Sequence, residues 1–158
     1  MLKHTYNMNP LAVTIRPALE LDLGSRNLKN FIESGYDHIH VSPNAKVMQI
    51  LNKYGFIEKG FPYYGWLTAI LTSVIQVAKN FNIPLIVYGE DGEVEYGGST
   101  ETRNKSLFTV EYMQRVYLEG GYDKVLNIAK EKYGLSDNGL SFWKFPHLAE
   151  ESEMYVTH

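Results

Sequence analysis

The chain contains no cysteine. A disulfide framework and a thiolate metal site are therefore excluded, and nothing in the composition points to secretion. It also lacks a long hydrophobic run. The most apolar stretch, Trp66 to Ala78, is broken by Thr68, Thr72, Ser73 and Gln76. That is too short and too polar to span a bilayer. Met1 to Pro10 is polar and has no signal-peptide core. Excess positive charge is missing too. The formal net charge is -3, so no basic face for nucleic acid is implied. The sequence contains no GxGxxG, no GxSxG and no GxxxxGK[ST] loop. These absences leave a cytoplasmic chain with no membrane and no nucleic-acid partner as the expectation.

What is present fits one α/β domain. Its 158 residues are 44% hydrophobic and 21% charged, which are ordinary globular values. Leu11-Ala12-Val13-Thr14-Ile15 reads as a buried strand, His38 to Ser42 as a second, and Leu85 to Tyr88 as a third. Between them, Asp22 to Ser34 has helical spacing and stops at Gly35. A helix entered at Ser42 or Asn44 runs to Gly55, and a longer one covers Trp66 to Asn80. From about residue 108 the pattern is helical, with Glu111 to Glu119 and Tyr122 to Tyr133 separated by Gly120-Gly121. Strands alternating with helices imply βαβ units and a parallel sheet. The polar, aromatic tail from Ser136 has no assigned element.

Twelve tyrosines stand out, several beside glycine: Tyr54-Gly55, Tyr64-Gly65, Tyr88-Gly89 and Tyr96-Gly97. Such rings line sugar or nucleotide pockets, or simply pack in the core. Parallel sheets bind ligands at the carboxyl ends of their strands. The first exit, Thr14-Ile15-Arg16, offers an arginine to a phosphate or carboxylate. The third exit, Gly89 to Thr100, holds four glycines and four carboxylates. Such carboxylates need solvent, cations or Mg²⁺ around them, and the glycines admit a close ligand. His38 and His40 share one strand face without a third ligand in view, so no side-chain metal site is expected.

Three segments in order, Asn9-Pro10-Leu11-Ala12-Val13-Thr14, Lys79-Asn80-Phe81-Asn82-Ile83-Pro84-Leu85-Ile86-Val87-Tyr88-Gly89-Glu90 and Glu93-Val94-Glu95-Tyr96-Gly97-Gly98-Ser99, resemble the N-acetyl sugar amidotransferases of bacterial surface-polysaccharide, lipopolysaccharide and nonulosonic-acid synthesis. The resemblance spans about residues 2 to 135. It implies the PP-loop ATP-pyrophosphatase superfamily, with a Rossmann-like parallel sheet of the adenine-nucleotide alpha-hydrolase type. It also implies Mg²⁺ and ATP, which adenylylate an acetamido oxygen. Ammonia, supplied by a glutaminase subunit, then displaces AMP to leave an acetamidino sugar. On this view Glu90, Asp91 and Glu95 are the catalytic candidates. Thr14, Arg16 and Gly89 are the nucleotide-binding candidates, and Tyr63, Tyr64, Tyr96, Gly97 and Gly98 the sugar-binding ones.

Two departures accompany the resemblance. The family's SGGxDS pyrophosphate loop does not occur. Met1 to Tyr6 resembles the end of the helix that follows that loop, so the superfamily's first, central strand is expected to be missing. Its absence predicts that the flanking strands pair, that another chain fills the gap by self-association or with a partner, or that stability is marginal. Where relatives carry Cys-x-x-Cys, this chain has Pro62-Tyr63-Tyr64-Gly65. Two alternatives remain: a catalytically inactive relative that binds a sugar or a partner, and another PP-loop enzyme. The acidic pI near 5.9 and the absent cysteines count against a tRNA-thiolating one.

Overall fold

A computed structural model describes residues 2–17, 19–89, 107, 109–147 and 154–157. The chain is a mixed α/β protein, and its described residues form two short parallel sheets of two strands each. It divides into two compact units, Met1–Met48 and Gln49–His158. Among the described residues no helix is long and apolar enough to cross a membrane.

The first unit is a βαβ element preceded by a short helix. Helix α1 is Leu2–Tyr6, strand β1 is Ala12–Ile15, helix α2 is Asp22–Glu33 and strand β2 is His38–Val41. The strands pair in parallel, Ala12 opposite His38 through Ile15 opposite Val41. Asp22 places a carboxylate in the first turn of α2, where the helix dipole favours it. At the other end Gly35 takes φ 87, a left-handed conformation that suits glycine and closes the helix as the sequence implies. Helix α3, Ala45–Lys59, begins here. Of the two cap candidates Asn44 is the one used: its Oδ1 accepts from the amides of Lys46 and Val47.

The second unit holds the main core. Helix α4 is Tyr64–Asn80 and strand β3 is Leu85–Val87. Helix α5 is the single turn Val110–Tyr112, continued by a π-helical stretch Met113–Tyr117. Helix α6 is Asp123–Tyr133, followed by a 3-10 helix Asn138–Trp143 and strand β4, Tyr155–Thr157. Trp143, Tyr64, Leu51, Ile75, Met113, Leu118, Leu126 and Leu140 are almost fully enclosed.

Three expectations change. Helix α3 does not stop at Gly55 but continues to Lys59. Gly55 is where α3 passes against α4: a Cβ there would lie 2.1 Å from Tyr64 Cβ. The glycine therefore permits a close helix contact rather than ending a helix. Asn52 on α3 then caps α4, its Oδ1 accepting from the amides of Gly65 and Trp66, so α4 begins at Tyr64 instead of Trp66.

The strands do not form one sheet. Strand β1 pairs with β2, and β3 pairs in parallel with β4, Leu85 opposite Tyr155 and Val87 opposite Thr157. Strands β1 and β3 thus belong to separate sheets. A strand from the unassigned tail satisfies one edge of β3.

The polar residues that interrupt the apolar run of α4 have definite work. Thr68 and Ser73 return their hydroxyls to the carbonyls of Tyr64 and Ala69 four residues back. Thr72 and Gln76 donate to the Phe142 carbonyl, Gln76 also to Lys144, and Lys79 to that of His147. This ridge docks residues 138–147 on α4 and explains why the tail folds without a clear periodic signal.

Candidate functional site

Residues singled out by the sequence fall in both units. At the exit of β1, Thr14 and Arg16 lie on one side of the strand by their spacing. Thr14 Oγ1 sits 2.9 Å from His38 Nε2 across the strand pair. His38 is half-buried, and burial followed by the nearby His40 pushes its pKa down. The two imidazoles stand 6.2 Å apart by ring centroid. Among the described residues no group of three or more His, Cys, Asp or Glu could hold a metal ion.

Arg16 is turned onto Glu20, with Nε 3.1 Å and a terminal nitrogen 3.0 Å from the same carboxylate oxygen. Ser25 on α2 donates to the other oxygen at 3.1 Å. The Ser25 hydroxyl first, and then Arg16, hold the Glu20 carboxyl below its ordinary value. Glu20 escapes the sequence reading because it lies in the β1–α2 connection, outside every motif. An anion arriving at Arg16 would compete with this carboxylate.

In the second unit, Gly89 is exposed just past β3, with open space at the position of a Cβ. Glu90, Asp91, Glu95, Tyr96, Gly97 and Gly98 lie outside the described residues. Tyr63 and Tyr64 diverge sharply. Tyr63 is 57% exposed and Tyr64 is 1% exposed. Tyr64 does not offer a ring face to a sugar. Its hydroxyl donates to the carbonyls of Leu118 at 3.0 Å and Gly121 at 2.8 Å. Burial, then the carboxylates of Asp123 and Glu119, raise its pKa and keep it a donor.

Lys59 fastens the same loop. Its Nζ donates to the carbonyls of Leu118 at 3.3 Å and Glu119 at 2.6 Å. Burial lowers its pKa first, and Glu119 works in the opposite direction. The loop it holds has an unusual backbone: Glu119, Gly120 and Gly121 all take positive φ, at 50, 86 and 97 degrees. It follows the π-helical stretch, whose wide turns show in Leu118 N–H to Met113 O and Gly120 N–H to Arg115 O, each spanning five residues.

This loop forms one wall of an open depression of about 270 Å³. Glu111, Gln114, Arg115, Tyr122 and Asp123 line it as well. Arg115 also lies over the Tyr112 ring, 5.8 Å from its centroid. The sequence reading missed this depression. Gly120-Gly121 was legible only as a separator between helices, and a five-residue π-helical stretch has no periodic signature. No family model matches the chain, and no match is found among the curated proteins.

Proposed function

We propose that this chain is part of an ATP-dependent amidotransferase that converts an acetamido group on an N-acetyl sugar into an acetamidino group. The observation that carries the reading is the ordered set of three segments, residues 9–14, 79–90 and 93–99, that resembles that family. Two features agree with it. The first two segments contain parallel strands, β1 and β3. Arg16 and Gly89 follow directly at their carboxyl ends, where parallel α/β sheets bind ligands. In the proposed reaction, adenylylation of the acetamido oxygen releases pyrophosphate, and ammonia then expels AMP from that carbon. A carboxylate of the 90–95 segment accepts the ammonia proton. Mg·ATP is a co-substrate, and the ammonia comes from a glutaminase partner.

A second reading is that the chain binds the sugar without turning it over. Isothermal titration separates the two. The chain is titrated with Mg·ATP and with a nucleotide-linked N-acetylhexosamine, singly and together. Binding of both, with AMP formed when ammonium is added, supports the amidotransferase. Sugar binding without ATP binding marks the chain as a substrate-binding part with no turnover of its own. Binding of neither removes both.

A further inference from the structure

We propose that the depression beside the Leu118–Gly121 loop holds the hydroxyl-bearing edge of a single sugar ring. This rests on the reading of the chain as a sugar-handling part of an amidotransferase, and adds a place where the hydroxyls are held. Four observations meet there.

The first is the donor and acceptor set. Glu111 and Asp123 are acceptors when ionised, Arg115 only donates, and Gln114 does both. A hydroxyl both donates and accepts, so vicinal hydroxyls suit this mixture. Two carboxylates against one guanidinium disfavour a phosphate or carboxylate ligand.

The second is availability. Among the described residues no protein hydrogen bond or ion pair engages the side chains of Glu111, Gln114 or Asp123.

The third is size and access. About 270 Å³ falls just below the roughly 300–1,000 Å³ of pockets that enclose drug-sized ligands, which suits one ring better than a nucleotide. A Cβ at Gly120 or Gly121 would meet nothing within 4 Å, so the backbone there is open to a ligand's approach.

The fourth is preorganisation. The positive-φ loop and the π-helical stretch are unusual backbone of the kind that collects at functional sites. The loop's carbonyls are tied down by Tyr64 from α4 and Lys59 from α3. Tyr64, singled out in the sequence as a sugar contact, becomes a positioning residue.

The test is a titration of the ¹⁵N-labelled full chain, read by amide chemical shifts. The probes are N-acetylglucosamine, glucose and inorganic phosphate. The expected result is a saturable shift of the Gly120 and Gly121 signals with both sugars and none with phosphate. Gln114→Ala and Asp123→Asn each weaken sugar binding about tenfold, as loss of one or two good hydrogen bonds would. Leu23→Ser, far from this set in sequence and on α2, leaves it unchanged. Equal shifts with phosphate overturn the proposal in favour of an anion site. Sugar shifts confined to residues 85–99, or unaffected by both substitutions, overturn it while leaving the amidotransferase reading in place. An absence of sugar shifts overturns it as well.

Discussion

In residues 1–48, helix α2 carries Leu23, Leu28, Phe31 and Ile32 at helical spacing and buries none of them. In residues 49–158, helix α4 buries nine residues, four of them Tyr64, Leu71, Ile75 and Ala78. Both helices follow a strand-helix grammar that the sequence makes plain. The difference lies in what covers them. Periodicity records that a helix has an apolar face. It does not record which element, if any, closes over that face. Unit 49–158 supplies its own cover, with residues 138–147 bonded along α4 through Thr72, Gln76 and Lys79. Among the described residues, Ile15, Val47 and Met48 are the buried apolar ones of unit 1–48, and a piece this small has little core to stabilise it alone.

That contrast breaks most readily at Trp143, which is 1% exposed. Trp143→Ala is expected to cost about 3–5 kcal/mol in urea unfolding, the range for a fully enclosed aromatic. A loss under about 1 kcal/mol would mean that the 138–147 segment is not a working part of the core. Gly55→Ala comes next. Alanine improves helix propensity, but its Cβ would overlap Tyr64. Overpacking of this kind costs about 1–3 kcal/mol, so the midpoint of unfolding should fall. A rise would show that α3 and α4 do not approach so closely.

A smaller effect is expected at Asp137. Hydrogen bonds from Lys130 and then Lys144 hold its carboxyl down to about 2, against an ordinary value of 3.8. The folded value lies below the unfolded one. The contribution is therefore present above about 3.8 and is lost as pH falls towards about 2. The carboxylate is exposed, so solvent screening keeps the effect small. Thermal unfolding of the wild type and Asp137→Asn should differ at neutral pH and converge at the acidic end. A constant difference would exclude the pair as its source. Smallest of all is Leu23→Ser on α2, expected to change stability by no more than about 0.5 kcal/mol. A loss like that at Trp143 would show that α2 has a cover in solution.

Much of this fold was legible in advance. Strand β1 was placed within one residue, α2 to the same precision, and Gly35 and Asn44 act as the sequence implies. The tail was not legible because β4 has three residues and its pairing with β3 is long-range. Gly55 was misread because a glycine that ends a helix and one that admits a neighbouring helix look alike until the neighbour is known. The site divides along the same line. Arg16 was found from its place after a strand, while its partner Glu20 sits in a connection with no motif. Tyr63 and Tyr64 are adjacent and chemically identical. The close approach of α3 and the Leu118–Gly121 loop enclose Tyr64, while its neighbour Tyr63 stays exposed.

The most direct measurement is hydrogen–deuterium exchange of the full chain, with and without a nucleotide-linked N-acetylhexosamine. The account predicts slower exchange in peptides covering residues 110–123, with peptides covering α2, Asp22–Glu33, unchanged. Protection confined to residues 1–48, or none at saturating ligand, would contradict it.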